Sequence, residues 1–112
     1  MSRDAMKKLL LLVLSLVWSG GAAWAAGYPK EGQEKAKACV ACHGENGASP
    51  VPDFPKLAGQ HRDYLVKALT DYKSGARKNP VMNPMAANLS RQDIADLSAY
   101  YSTLPPAVVT RR

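Results

Sequence analysis

Residues 39–43 read Cys-Val-Ala-Cys-His, and this pentapeptide decides how the rest of the chain is interpreted. Two cysteines three positions apart project from the same side of a helical turn, and the histidine follows directly. This spacing is the one used for covalent attachment of a c-type haem. Cys39 and Cys42 are therefore predicted to form thioether bonds to the two vinyl groups on one haem edge, with His43 as the proximal iron ligand.

Three other uses of the two cysteines are weaker. A structural zinc site needs four ligands, and outside the pentapeptide the chain offers only one further His or Cys, His61. A thioredoxin-like dithiol needs a surrounding β-α-β pattern, and no strand pattern is visible. A disulfide between Cys39 and Cys42 closes too short a loop to stabilise much. A haem-free dithiol or metal-binding module thus stays as an alternative interpretation.

The N-terminal 26 residues have the order of a secretory signal, with basic residues before an apolar run at 9–18 and small residues after it. We expect residues 1–26 to be removed and residues 27–112 to form one haem domain in the periplasm. The alternative is an uncleaved membrane anchor, because the uncharged stretch 9–26 just reaches membrane-spanning length. Otherwise contact with a membrane is expected only through partner proteins.

Size and charge exclude several classes of protein. The chain of 112 residues is too short for a multidomain enzyme, and a domain of 86 residues has only a small core of its own. Residues 27–112 carry 12 basic and 8 acidic side chains with no dense basic run, which argues against nucleic-acid binding. A basic docking surface for redox partner proteins is predicted at Lys56, Lys67, Lys73, Arg77 and Lys78.

The pattern of apolar residues predicts an all-α fold with three main helices, because no stretch alternates as a strand does. The first helix is predicted over residues 31–42. The second is predicted over residues 61–74, with Gly75 as its stop. The third begins after Ser90, which can form a capping box with Asp93.

Two loops rich in proline separate these helices, at residues 44–59 and 79–85. Because each residue before a proline is pushed towards extended geometry, we expect no regular helix at 79–85. Met82 and Met85 lie in this loop, and a thioether from one of them would fill the second axial position of the iron. Spacing alone does not distinguish the two, and core filling is the commoner use of methionine. His61 is interpreted as a solvated residue rather than a ligand.

Three further segments carry a family resemblance. They read Phe54-Pro55-Lys56-Leu57-Ala58-Gly59-Gln60-His61, Tyr64-Leu65-Val66-Lys67, and Met82-Asn83-Pro84-Met85-Ala86-Ala87. With them the chain resembles class I c-type cytochromes, most closely small bacterial periplasmic single-haem members and the halves of dihaem c-four-type cytochromes. The resemblance implies a cytochrome c fold wrapped around one covalently bound haem. It also implies an electron carrier between larger redox proteins, not an enzyme.

The resemblance also implies roles for individual residues. Met82, the first methionine of the M-x-x-M pair, would be the axial ligand. The backbone carbonyl of Pro55 would accept the Nδ1 proton of His43, and Leu57 would pack on the haem. An open or displaceable sixth position would instead indicate a haem enzyme or a gas sensor.

The resemblance also implies a helix crossing, in which Gly32 lets the ring of Tyr100 sit close.

Two departures from the family pattern stand out. Arg91 occupies a position where an acidic residue is common after the helix cap, and Pro84 lies between the two methionines. Pro84 bears on the local geometry of the loop rather than on the predicted ligation.

Overall fold

The computed structural model describes residues 2–17 and 26–107. Within these residues there is no strand, so the predicted all-α class is confirmed. The helices are α1 (Arg3–Val17), α2 (Pro29–Lys35), α3 (Val40–His43), α4 (Arg62–Ser74), α5 (Met82–Ala87) and α6 (Arg91–Thr103). Two 3₁₀ turns, Ala36–Ala38 and Glu45–Gly47, lie on either side of α3.

Helix α1 covers most of the apolar run of the predicted leader. The small residues after that run fall mainly at 18–25, outside the described residues. In the described parts of the chain, no helix has both the length and the apolarity needed to cross a bilayer.

The predicted continuous first helix over residues 31–42 is wrong, because the backbone winds more tightly after Lys35. There α2 gives way to the 3₁₀ turn, in which the Cys39 N–H donates to the Ala36 carbonyl over 2.8 Å, and α3 follows. Ala36 is 2% exposed and belongs to the hydrophobic core. The tighter turn changes the direction in which α3 presents its side chains, and apolar spacing does not reveal such a change.

The second and third predicted helices are confirmed as α4 and α6. Helix α4 ends at Gly75, whose φ of 83° is the left-handed conformation that glycine adopts without strain. The capping box at the start of α6 is present. The Asp93 N–H donates to Ser90 Oγ over 3.0 Å, and the Ser90 N–H donates to the Asp93 carboxylate over 2.8 Å. Leu65 of α4 and Leu97 of α6 pack in the same core cluster.

The expectation that prolines prevent a helix at 79–85 is also wrong, because α5 begins at Met82. Pro84 is the third residue of α5. The first N–H groups of a helix have no partner within it, so the missing N–H of Pro84 removes no intrahelical hydrogen bond. Pro80 lies before the helix.

Helices α2 and α6 cross closely, as the resemblance implies. A Cβ atom on Gly32 would lie 2.0 Å from the Asp96 carbonyl oxygen and 2.7 Å from Tyr100 Cβ. Gly27 makes a second close approach, where a Cβ atom would lie 2.2 Å from the Ala95 carbonyl oxygen. No signal in the sequence indicated a role for Gly27, because this residue lies before α2. Both positions therefore require the absence of a side chain.

The buried carboxylate of Asp96 fastens the crossing. Its side chain is 2% exposed and accepts hydrogen bonds from the Tyr28 N–H (2.9 Å), Lys35 Nζ (2.6 Å) and Gln92 Nε2 (2.7 Å). Burial by itself raises the pKa of this carboxyl group, but these hydrogen bonds outweigh burial and lower it. Asp96 is therefore an ionised acceptor that ties both ends of α2 to α6.

Candidate functional site

A cleft of about 570 Å³ lies between α3, the loop that follows it, and helices α4, α5 and α6. Its wall is mainly apolar, and the side chains that form it include Leu57, Leu65, Leu69, Tyr72, Leu97 and Tyr101. Both cysteines and the histidine of the pentapeptide line the same cleft. The fold thus brings the chemistry-bearing motif to the edge of a large apolar space.

His43 is held in one orientation at the cleft. It is 6% exposed, and its Nδ1 lies 2.7 Å from the Pro55 carbonyl oxygen. A carbonyl only accepts, so Nδ1 carries the proton and donates, which leaves Nε2 with the lone pair. The edge of Phe54 packs near the ring, with the ring centroids 6.4 Å apart. The imidazole therefore has one nitrogen committed to the backbone and the other available to bind a metal.

Cys39 and Cys42 are not joined by a disulfide, and each is partly buried. The helical turn between them is formed by the His43 N–H, which donates to the Cys39 carbonyl over 2.9 Å. Burial raises the pKa of the Cys39 thiol. Across residues 2–17 and 26–107, no three His, Cys, Asp or Glu side chains converge as a metal cluster would require. The zinc alternative thus has no ligand set there.

Both candidate methionines line the cleft from α5, but they differ in exposure. Met82 is half-buried, whereas Met85 is 46% exposed. His61 is exposed and does not line the cleft, in agreement with its interpretation as a solvated residue. Both methionines therefore border the cleft, and Met82 is the more buried of the two.

Two hydroxyl groups on α6 are buried in the wall behind the cleft. Ser98 Oγ and Tyr101 Oη have no well-formed hydrogen bond to the described residues. The Tyr101 hydroxyl lies beside the Cys39 thiol, and burial together with this neighbour raises the pKa of Tyr101 far above its ordinary value. The apolar wall, with both cysteines and His43 at its edge, fits a large planar apolar group.

Some cations of the predicted basic surface contact other groups of the chain, and others do not. Lys67 pairs with Asp71 over 2.8 Å, and Lys73 donates to backbone carbonyls at the end of α5. Arg77 stacks 4.7 Å over the Tyr72 ring. Lys56 and Lys78 are exposed and make no ion pair with the described residues. Lys56 and Arg77 also line the cleft.

Sequence reasoning missed two residues that act on α5. Asn79 and Asn83 hold this helix through side-chain hydrogen bonds to the backbone. The one available signal was the position of each asparagine directly before a proline or within a predicted loop, where side chains of this type bond to nearby backbone.

Comparison with known proteins agrees with this architecture. The family model described as cytochrome c matches residues 29–105. The chain is 48% identical to cytochrome c4 of Pseudomonas aeruginosa over 98 residues, which cover 88% of this chain and 49% of that protein. It is 44% identical to cytochrome c-554(548) of Halomonas halodenitrificans over 81 residues, which cover 70% of this chain and 98% of that protein.

A solved structure shows the same fold. The crystal structure of reduced recombinant cytochrome c4 from Pseudomonas stutzeri matches with a TM-score of 0.69 and 45% sequence identity, covering 71% of this chain and 47% of that chain. The chain therefore spans about half the length of the cytochrome c4 proteins that it matches.

Proposed function

Because the chain belongs to the cytochrome c family, with one haem c bound covalently through Cys39 and Cys42, we propose that it is a periplasmic electron carrier. When bound, the haem supplies a one-electron couple between Fe(II) and Fe(III). The observation that carries the proposal is the buried His43, whose Nδ1 is tied to Pro55 while its ring lines the cleft that also holds the cysteines and Met82. No substrate is transformed in this role.

Two side chains of different character would hold the haem iron, His43 and Met82. The hydrogen bond from His43 Nδ1 to the Pro55 carbonyl holds the ring and would make Nε2 a stronger ligand. The Met82 thioether is soft and neutral, so as a ligand it would favour reduced iron, raise the reduction potential and block exogenous ligands. Leu57, half-buried in the cleft wall, keeps water from the haem face. These roles suit electron transfer rather than chemistry on small molecules.

The proposed partners are larger redox proteins that dock at the rim of the cleft. Tyr64, Val81 and Met85 are exposed apolar side chains on this rim. Lys56 and Lys78 provide positive charge that an acidic partner surface would attract. Such a contact is small and transient, and its association rate falls as salt screens the charges. A rate that does not change with ionic strength would contradict electrostatic docking.

The proposed location follows from residues 1–26, which we propose act as an export signal, with residues 27–112 as the haem domain. Export also suits the cysteines, since thiols do not stay free in an oxidising compartment unless they are used. The N-terminal sequence of the protein purified from the periplasmic fraction tests this. A chain that begins at Met1 and stays with membranes would instead indicate a retained anchor.

Carbon monoxide binding tests the function most directly. The reduced wild-type protein is expected to bind carbon monoxide poorly, because a thioether occupies the sixth position. Met82→Ala is expected to bind it readily, and the matched variants Met85→Ala and His61→Ala are expected to behave as wild type. Ready binding by the wild-type protein would support a haem enzyme or gas sensor instead.

Covalent attachment of the haem is tested separately. The denatured protein should keep the haem spectrum after acid and organic extraction, and its mass should equal that of the processed chain plus one haem. A colourless product with the mass of the bare chain would support the haem-free dithiol module.

A further inference from the structure

Helix α5 is held by an unusual set of side-chain hydrogen bonds centred on Asn83. Its Nδ2 donates to the carbonyls of Tyr72, near the end of α4, and Arg77, each over 2.8 Å. Its Oδ1 accepts the Asn79 N–H over 2.7 Å, and its own N–H donates to the Asn79 carbonyl over 3.0 Å. One side chain thus joins α5 to α4 and to the segment between them.

Asn79 completes the arrangement from the other side. Its Oδ1 accepts the N–H groups of Val81 and Met82, each over 2.9 Å. These are donors at the start of α5, where a helix has no internal partners for them. The Asn79 backbone therefore bonds both the side chain and the N–H of Asn83, and Met82 lies in the short segment between these two residues. We call this pair the asparagine clasp.

Apolar packing alone holds α5 weakly. The helix has six residues, which is too few to be stable in isolation. Ala86 is its one buried residue, whereas Pro84, Met85 and Ala87 are exposed. Lys73 of α4 donates to the carbonyls of Ala87 and Leu89 at the far end of α5, so the clasp is the polar restraint at the start of the helix, where Met82 lies.

We propose that Asn79 and Asn83 are positioning residues that keep the Met82 thioether in the cleft and so keep exogenous ligands away from the iron. This inference rests on the proposed role of Met82 as the axial ligand. Without the clasp, α5 separates from α4 more often, and the sixth position opens for longer. The domain as a whole stays folded, because the α2–α6 crossing and the core cluster do not involve α5.

The test is the rate at which the reduced, haem-loaded protein captures carbon monoxide, together with the sulfur-to-iron charge-transfer band of the oxidised protein. Asn83→Ala is expected to raise the capture rate about tenfold, the factor that corresponds to losing one or two net hydrogen bonds. Asn83→Asp keeps the acceptor but turns a carboxylate towards two carbonyls, so its effect should be at least as large. The charge-transfer band should weaken in both variants.

Variants at Asn79 distinguish the effect of its side-chain acceptor from the effect of its side-chain volume. Asn79→Asp keeps an oxygen for the N–H groups of Val81 and Met82 and is expected to capture carbon monoxide at nearly the wild-type rate. Asn79→Ala removes that oxygen and should raise the rate. Asn88→Ala, an exposed asparagine at the end of α5, is the matched control and should have no effect.

A merely structural role predicts a different result. Ile94→Ala truncates a buried side chain of α6 that does not line the cleft, so it lowers thermal stability without touching the clasp. If Ile94→Ala raises carbon monoxide capture as much as Asn83→Ala at an equal loss of stability, or if Asn83→Ala leaves capture unchanged, the clasp proposal is overturned. If Met82→Ala itself leaves capture unchanged, the proposed ligand is wrong as well.

Discussion

Replacing Gly32 with alanine should destabilise the protein strongly, because α2 and α6 leave no space at this position. The added Cβ would lie 2.0 Å from the Asp96 carbonyl oxygen and 2.6 Å from its carbon, which are backbone atoms of a regular helix and cannot move alone. Overpacking in cores costs about 1–3 kcal/mol, and this contact belongs at the upper end. Alanine's better helix propensity offsets about 1 kcal/mol. We therefore expect a net loss of about 2 kcal/mol.

Urea unfolding of the haem-loaded protein measures this loss. The midpoint should fall while the slope stays unchanged, since the surface exposed on unfolding is the same. Gln33→Ala, an exposed position on the same helix, is the matched control and should change the free energy of unfolding by less than about 0.5 kcal/mol. Gly32 does not line the cleft, so the haem spectrum should stay as in the wild type. A variant as stable as Gln33→Ala would refute the crossing as drawn.

Three further outcomes are expected. Lys35→Met leaves the buried Asp96 carboxylate without its cation and also removes the partner of Asp93, so it should lower the midpoint of chemical unfolding clearly more than Lys37→Met, which removes an exposed pair. Hydrogen bonds from Lys35 lower the pKa of Asp93 from 3.8 to about 2, so its contribution to stability is complete above 3.8 and is lost as pH falls towards 2. Asp93→Asn should therefore flatten acid unfolding in this window, and an unchanged acid limb would contradict the assignment. A Cys39→Ser/Cys42→Ser chain should lack covalent haem and melt without cooperativity in circular dichroism, because the cleft loses its filling; a sharp transition would count against this.

The parts of the fold that the sequence predicted well are those with a local chemical signal. Ser90 and Asp93 identify the start of α6 because a capping box depends on residues three positions apart. Gly75 marks the end of α4 for a similarly local reason. The pentapeptide predicted the motif side of the cleft, since its spacing is set by the cofactor that it binds.

The errors arise where neighbouring elements decide the local backbone. Proline statistics argued against a helix at Met82, but side-chain bonds from Asn79 supply the partners that the first turn lacks, and Pro84 falls where no N–H is needed. The 3₁₀ turn after Lys35 follows from seating Ala36 in the core, a tertiary effect. Apolar periodicity cannot register either cause, because both act through contacts rather than through composition.

The contacts between α2 and α6 join the beginning of the domain to its end. The bonds from Tyr28 and Lys35 to Asp96 span 68 and 61 residues, and every cleft residue from the pentapeptide to α5 lies inside the loop that they close. Closing so long a loop is entropically slow and requires α6, the last helix of the described chain. If residues 1–26 act as the proposed export signal, the cysteines cross the membrane before α6 does, while the chain around them is still open. Both thiols are then accessible for haem attachment before the fold can bury them.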